Sequence, residues 1–473
     1  QRQMCIRDRE GTIIGAIECF RNETERKNLE ARLQQSEKMT SLSRISAGVA
    51  HEILNPVGII SLELQTLKAM KELPGPVTEE LDVCMEQVRR IVAIAENLKQ
   101  FARATKDAMT PDNVNDIIAP ALQGMDATRQ IEIDRLMLEL DGTDDRSHLG
   151  GNAIASVSAA VLKAAANSLG IALYEHIGGV NACVLPVPGV GLMNGARRYG
   201  GGERAGDKPS YSMMCYGFDT FSEASYAGWD VATEWQEVLK KKLGIPHRGD
   251  ASSWIPTGYV TDDRQLWELQ TETIVRMGYE GRVGIQVDVA AGTYYDKASG
   301  RYVGLFNEEP KTRDDLLAWY GKMVADYPFV ILEDPLDEDD YEGHAILTRE
   351  LDIQIVGDDL FTTNPARVAQ GVAVGAANAV LLKVNQIGTI SEAFDMVRLA
   401  YRHGYGVMPC SSRGEGVDIA DYAVGLNCGT TRGSATGPTG NRFLEIEAEL
   451  GPRAQFVGRA GLKGERFEAG PQA

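Results

Sequence analysis

Short apolar runs that each end in a charged residue mark the second half of the chain. VGIQVD ends at Asp288, FVILED reaches Glu333, IQIVGDD reaches Asp358 and AVLLK ends at Lys383. Each run has the length of a buried strand, and a helical segment precedes it. Strands that alternate with helices indicate a parallel sheet, and about eight such units between residues 184 and 455 favour a closed (β/α)8 barrel. We therefore predict an α/β fold of the barrel type.

The charged ends of these runs predict a chemical site. In such a barrel the carboxyl ends of the strands meet at one face, where we expect Asp288, Glu333 and Asp358 to converge. Three carboxylates without a Cys or His neighbour suit a hard cation, above all Mg2+. Lys383 would lie across from them, and a nearby divalent cation would help it act as a base. A single aspartate at a strand end is more often a helix cap, but capping explains four successive strands poorly.

Composition narrows the class of protein. The 473 residues carry a formal net charge of −19, with a sequence pI near 4.9. This charge argues against nucleic acid or an anionic membrane surface as a general partner. The chain has no apolar run of about 18 residues and starts with polar residues, so we predict no membrane span and no signal peptide. Seven scattered cysteines without C-x-x-C spacing indicate reduced thiols and a cytoplasmic location.

The first quarter of the chain has a different character. The segment AGVAHEILNPVGII, with His51 followed by Glu52 and a proline break after Asn55, resembles the phosphoacceptor box of sensor histidine kinases. The resemblance implies a dimerisation and phosphoacceptor helical hairpin over residues 39–108, with His51 as the phosphoacceptor. The alternative is an ordinary histidine on a helix surface. No ATP-binding segment follows the hairpin, so we expect His51 to have no phosphate donor within this chain.

The residues before this hairpin complete the proposed division of the first quarter. Residues 11–38 resemble the end of a PAS domain, with a last strand over residues 11–20, followed by a coiled-coil linker. We set residues 1–10 aside as an artefact or tail. From residue 112 the sequence pattern predicts further helical segments, including a small-residue helix pair joined at Gly170.

The later segments resemble enolases. VDVAAG, LEDPLDEDD, VGDDLFTTNP and LLKVNQIGT are similar to the metal-binding and lysine segments of that family. GNAI…SLGIALYEHIGG, IADYAVGL and NRFLEIEAELG are similar to its helices. The resemblance covers residues 112–453 and implies that Asp288, Glu333 and Asp358 bind Mg2+ while Lys383 abstracts the α-proton of the substrate.

The same resemblance divides this part of the chain. It implies a partial enolase N-terminal domain with a truncated helical cap over residues 112–183, a barrel over 184–455 and a tail over 456–473. The strand meander that precedes the cap helices in enolases is replaced here by the kinase-like sequence. The junction near TKDAMTPDNVND is therefore interpreted as a chimera of sequence assembly, with a genuine fusion as the alternative.

Departures from enolases concentrate at the predicted site. Arg204 replaces the histidine of the SHAGN loop, Ser212 and Met213 stand in place of a Gln-Glu pair, and Ala251 stands in place of a catalytic glutamate. The base and the metal ligands thus remain, whereas the acid that protonates a departing hydroxyl is missing.

Guanidinium groups are enriched in the same places. Arginine suits bidentate recognition of phosphate or carboxylate, and Arg432 replaces the late substrate-binding lysine. Arg197 and Arg198 either join this set or are solvated loop charges. The residues that we expect to bind substrate are Arg204, Ser412, Arg413 and Arg432.

Together these features predict a Mg2+-dependent lyase of the enolase (phosphopyruvate hydratase) type. It would form an enolate from a small phosphorylated carboxylate such as 2-phosphoglycerate, and we expect a homodimer. One alternative is a paralogue that does not dehydrate its substrate, such as a carboxyphosphonoenolpyruvate synthase. Another is a signalling phosphoacceptor protein with an inactive barrel.

Overall fold

The structure is a computed structural model that divides the chain into two units, residues 1–109 and 110–473. It describes residues 2–7, 13–19, 117–195, 198–200, 208–245, 253–255, 257–412 and 414–468. In the described part of the first unit, β1 (Arg2–Arg7) pairs antiparallel with β2 (Ile13–Cys19). β2 lies within the strand predicted over residues 11–20, whereas β1 lies in the segment that we had set aside. The predicted phosphoacceptor hairpin with His51 lies outside the described residues.

Among the described residues of the second unit, four α-helices precede the barrel. They are α1 (Ala119–Leu122), α2 (Gln130–Asp141), α3 (Gly151–Leu169) and α4 (Leu173–Gly178). Gly170 ends α3 in the left-handed conformation that glycine adopts without strain, as the predicted helix pair requires. The Asp134 carboxylate of α2 accepts a hydrogen bond from the Ser391 amide at 3.0 Å, which ties the cap helices to the barrel.

Eight strands form the wall of the barrel. They are β4 (Val187–Asn194), β5 (Ser210–Cys215), β7 (Val283–Asp288), β10 (Phe329–Glu333), β11 (Gln354–Gly357), β12 (Ala379–Leu382), β13 (Gly406–Pro409) and β14 (Thr430–Thr431). The strands pair in chain order, and β14 pairs with β4. The Arg432 amide donates to the Pro409 carbonyl at 3.1 Å and links β14 to β13. The predicted α/β barrel is therefore confirmed.

One strand departs from the expected all-parallel pattern. β5 runs antiparallel to both β4 and β7, so the amino end of β5 lies at the same end of the barrel as the carboxyl ends of its neighbours. The described residues between β4 and β5 contain no crossover helix of the kind that joins parallel strands. Short strands outside the wall are β3 (Val184–Leu185), β6 (Ser253–Trp254), β8 (Tyr295–Asp296), β9 (Arg301–Tyr302) and β15 (Gln455–Phe456).

An outer layer of helices covers the strands of the wall. All residues of the wall strands β7, β10, β11, β12 and β13 are buried. The helices are α5 (Phe221–Val238), α6 (Arg264–Arg276), α7 (Arg313–Asp326), α8 (Tyr341–Glu350), α9 (Pro365–Val374), α10 (Val384–Ile387), α11 (Ile390–Arg402), α12 (Ile419–Gly425), α13 (Gly437–Leu450) and α14 (Glu465–Glu468). Side-chain caps fix the starts of α5, α7, α8, α9 and α11, and at α7 Thr312 and Asp315 form a reciprocal capping box.

Among the described residues, no single helix is long and apolar enough to cross a membrane. The bent pair formed by α3 and the segment Leu173–Asn181, with 94° between its halves, meets the length and composition criteria together. Such a pair is also typical of core helices in a soluble protein.

Candidate active site

The four predicted strand-end residues meet at one end of the barrel. Asp288 and Glu333 are the last residues of β7 and β10 and lie opposite each other in the ladder. Asp358 and Lys383 directly follow β11 and β12. All four are buried, with exposed fractions between 0% and 6%. Charged side chains are costly to bury unless they are paired, so their partners determine what this mouth can do.

Lys383 is paired with Asp358. The Lys383 ammonium donates to one carboxylate oxygen of Asp358, and the Gln386 side-chain amide donates to the other at 2.7 Å. Burial by itself would raise the pKa of Asp358, but Lys383 and Gln386 outweigh burial and lower it. Burial likewise opposes the charge of Lys383, but Asp358 and its neighbours raise the pKa of the lysine. The pair is therefore ionised, and Lys383 holds a proton.

Arg432 bridges the other two carboxylates. Its guanidinium donates to Glu333 at 2.7 Å and also to Asp288. The Lys208 ammonium contacts Asp288 from the amino end of β5. Burial and the neighbouring Arg432 lower the pKa of Lys208 to about 8. Burial also raises the pKa of Glu333, against the opposing effect of Arg432. Arg432 thus lies where the sequence predicted a substrate-binding group, in direct contact with the predicted metal ligands.

Asp334 has a different role from its neighbour Glu333. Its backbone adopts a positive φ of 43°, which is uncommon for a residue with a side chain. Its carboxylate accepts hydrogen bonds from the amides of Asp358 at 3.1 Å and Asp359 at 2.8 Å. Oxygens of Glu333, Asp334 and Asp358 lie within 4.8 Å of one another. Because the Asp334 carboxylate is bonded to the backbone of the next loop, it helps to hold Asp358 in place.

The groups at the mouth suit a divalent cation. Three cationic side chains, Lys208, Lys383 and Arg432, face five carboxylates. Burial and the neighbouring carboxylates raise the pKa values of Asp334 and Asp359, and a nearby cation would stabilise their ionised forms. Hard carboxylate oxygens are also the ligands that Mg2+ prefers. The five carboxylates are those of Asp288, Glu333, Asp334, Asp358 and Asp359.

Other predicted site residues divide into two groups. Arg204, Arg413 and Ala251 lie outside the described residues. Ser412 is described and exposed in the loop after β13. Of the predicted substrate-binding set, the described structure therefore brings Arg432 into contact with the carboxylates of the mouth.

Arg198 corrects one expectation. It is neither a substrate-binding group nor a solvated loop charge, because its side chain is buried and forms a bidentate ion pair with Asp263 at 2.7 and 2.8 Å. The hydroxyls of Tyr199 and Tyr211 also donate to Asp263, at 2.7 and 2.6 Å. Burial and Asp263 raise the pKa of Tyr211 well above its usual value, so this hydroxyl remains a donor. Arg197 lies outside the described residues.

The register of β5 shows which way its side chains face and why this strand supplies no acid. Ser212 lies directly opposite Gln286, whose amide donates to Glu333 at 3.2 Å, so Ser212 is on the inward face of the barrel. Side chains alternate along a strand, and Met213 therefore faces the helices. Neither residue of this pair can donate a carboxylic proton, and Ser210–Cys215 contains no Asp or Glu.

Two contributors to the mouth were missed from the sequence. Lys208 precedes an antiparallel strand, so the rule that carboxyl ends of strands form the site does not find it. Gln386 follows Lys383 by three residues on α10. The signal that could have found Gln386 is this helical spacing, which brings the two side chains to the same face.

Three protein families match segments of this chain. The family described as "Enolase, C-terminal TIM barrel domain" matches residues 182–464, and "Enolase, N-terminal domain" matches residues 94–177. The "His Kinase A (phospho-acceptor) domain" matches residues 41–107, so residues 94–107 fall within two matches. The last match agrees with the resemblance to histidine kinases seen in the sequence.

Individual relatives point the same way. Proteins named "Enolase" include one from Methanopyrus kandleri that is 44% identical over 73% of this chain and 82% of its own length. One from Thermococcus gammatolerans is 42% identical over 88% of this chain and 97% of its own length. One from Bifidobacterium animalis subsp. lactis is 41% identical over 74% and 82%. With a family match over more than half of its residues and relatives of this similarity, the chain belongs to the enolase family.

Proposed function

We propose that the barrel is a Mg2+-dependent lyase that forms an enolate from a phosphorylated carboxylate such as 2-phosphoglycerate. The observation that carries the proposal is the buried Lys383–Asp358 pair beside Glu333 and Asp288. A lysine and three hard carboxylates at one barrel mouth are the groups that removal of a proton next to a carboxylate requires.

The residues of the chain have separable roles in this proposal. Asp288, Glu333 and Asp358 would hold the metal ion, and Lys383 would take the α-proton. Bound Mg2+ would supply the positive charge that stabilises an enolate and would weaken the hold of Asp358 on the Lys383 proton. Gln386 and the buried Asp334 would keep Asp358 oriented, since Gln386 bonds to its carboxylate and Asp334 to its amide.

Arg432 would contribute the principal anion-binding group. Its guanidinium already lies at the mouth, 14% of its side chain is exposed, and planar guanidinium groups match carboxylate and phosphate oxygens. A substrate anion that engages Arg432 would compete with Asp288 and Glu333 for its donors. Substrate binding and release of the carboxylates for metal binding would therefore favour each other.

Calorimetry tests the metal site. Wild-type protein titrated with MgCl2 should bind the ion, whereas Asp358→Asn should bind it at least about tenfold more weakly, because a hard anionic ligand is lost. Asp395→Asn is the matched control, since the exposed Asp395 pairs with exposed Arg398 on the surface of α11. Equal Mg2+ affinity in wild type and Asp358→Asn would remove this site from consideration. Turnover of 2-phosphoglycerate, followed by the absorbance of an enol product, then tests the substrate.

A second candidate has specific support. β5 offers Ser212 and Met213 where a dehydrating enzyme of this family carries a Gln-Glu pair, so the mouth lacks an acid on this strand. This favours a relative that forms an enolate without losing water, of the carboxyphosphonoenolpyruvate synthase type. Mg2+-dependent exchange of the α-proton without appearance of a dehydrated product would favour this candidate over the first.

A further inference from the structure

A cavity opens at the end of the barrel that lies opposite the carboxylates. Its volume is about 630 Å³, and it lies between the segment that follows β5, the start of β7 and the C-terminal segment after β15. Amino ends of barrel strands usually serve stability and not chemistry. The side chains that surround this cavity nevertheless have the features of a ligand site.

Two guanidinium groups are held in place at the cavity. Arg282 donates from Nε to the Gly217 carbonyl at 2.8 Å and stacks 4.2 Å from the ring centre of Phe218. Arg459 donates to the Gly281 carbonyl and lies 5.2 Å from the ring centre of Tyr216. Each arginine thus uses one donor and one face for positioning, which reduces the entropy lost when a ligand binds.

The backbone is shaped for this arrangement. A Cβ atom at Gly217 would lie 2.4 Å from the Cα of Arg282, so no other residue could bring this carbonyl so close to the arginine. The close approach fixes the position of Arg282 through main-chain geometry as well as through its side chain.

The cationic residues at this cavity differ from other arginines of the barrel. Among the described residues, no ion pair within 4.0 Å involves Arg282, Arg459 or Lys463, the three cationic residues that line the cavity. Arginines elsewhere on the barrel, such as Arg313 and Arg442, are paired with aspartates. Asp219 is the one acidic residue in the cavity lining. On a chain of net charge −19, an unneutralised cluster of this kind favours an anionic ligand.

We propose that this cavity binds a phosphate monoester joined to a planar ring, the chemistry of a nucleoside monophosphate. Arg282 and Arg459 line the same cavity, and guanidinium groups match the oxygens of a phosphate. Half-buried Phe218 and Phe456 supply an apolar wall for a ring, and the volume lies within the range of small-molecule sites. The site is independent of the catalytic proposal, because it shares no residue with the mouth of the barrel.

Calorimetry of the full chain with AMP tests the site. Wild-type protein should bind AMP, and the double variant Arg282→Gln/Arg459→Gln should bind it at least about 100-fold more weakly, since each charge-assisted pair contributes about tenfold or more. Phe456→Leu should weaken AMP binding but leave the binding of inorganic phosphate unchanged. Arg402→Gln is the charge-matched control, because Arg402 is exposed at the end of α11, away from the cavity lining.

Three results would overturn the proposal. Wild-type protein that shows no AMP binding at millimolar concentration would exclude the site. AMP affinity that is the same in wild type and in the double variant would place the nucleotide elsewhere, for example at Arg432. An equal loss of AMP affinity in Arg402→Gln and in the double variant would show that the net charge of the protein, and not these two arginines, determines binding. Circular dichroism and urea unfolding of each variant show whether a loss of binding reflects a loss of fold.

Discussion

The two ends of the barrel treat charge in opposite ways. At the carboxyl ends of the parallel strands, buried Lys383 and half-buried Arg432 are bonded to carboxylates, and carboxylates outnumber cationic groups. At the amino ends, Arg282 and Arg459 are exposed, and each is tethered to a backbone carbonyl and an aromatic ring. The first arrangement suits a metal ion and proton transfer, whereas the second suits reversible binding of an anion.

The difference shows how one scaffold separates the two tasks. Carboxylates at the mouth are fixed by strand ends and by backbone amides, as for Asp334, so their geometry follows from the core. The opposite cavity is built from loops and from the C-terminal segment. Such elements vary without disturbing the strands, so anion binding there can be altered at little cost to the mouth.

The largest expected effect concerns the missing acid at the mouth. With Lys383 in place but no carboxylate on β5, we predict that α-proton exchange outpaces dehydration of 2-phosphoglycerate by about 10²–10⁴, the usual contribution of a positioned general acid. Solvent deuterium in recovered substrate measures exchange, and product absorbance measures dehydration. Comparable rates for the two steps would show that another group supplies the acid, with Glu415 as the first candidate to substitute.

A large effect on stability is expected beside the mouth. Asp263→Asn leaves the buried charge of Arg198 without its partner, so we predict a loss of about 3–5 kcal/mol in the free energy of unfolding. Urea unfolding measures the change. Asp395→Asn, in an exposed pair with Arg398, should cost less than about 1 kcal/mol. If the two variants lose the same free energy of unfolding, the buried ion pair between Arg198 and Asp263 does not stabilise this end of the barrel.

The smallest effect is expected at the opposite end. Arg282 has no carboxylate partner among the described residues, and its stacking on Phe218 contributes little at an exposed site. Arg282→Gln should therefore lower the free energy of unfolding by less than about 1 kcal/mol. A loss as large as that of Asp263→Asn would mean that Arg282 is a structural residue and would weaken the contrast between the two ends.

The sequence predicted the wall of the barrel because its strands are buried on both faces and read as continuous apolar runs. VGIQVD, for example, is the whole of β7. The strand ends also placed Asp288, Glu333, Asp358 and Lys383 at one mouth, since parallel strands share their direction. The reversal of β5 could not be predicted from apolar runs, which carry no direction, and so Lys208 was missed.

Arg198 shows another limit. A run of two arginines in a glycine-rich segment is typical of a solvated loop, and only the fold reveals that Asp263, Tyr199 and Tyr211 surround its guanidinium. Tyr211 comes from β5 and Asp263 from the start of α6, and both lie far from Arg198 in the chain. Long-range pairing of this kind leaves no local pattern in the sequence.

One measurement tests the central claim most directly: incorporation of solvent deuterium at the α-carbon of 2-phosphoglycerate by the full chain, with and without Mg2+. We predict Mg2+-dependent incorporation by wild-type protein and a rate at least about 100-fold lower for Lys383→Ala, because Lys383 is the proposed base. Lys322→Ala, an exposed lysine on α7, is the control and should exchange at the wild-type rate. Undiminished exchange by a folded Lys383→Ala variant would contradict the account.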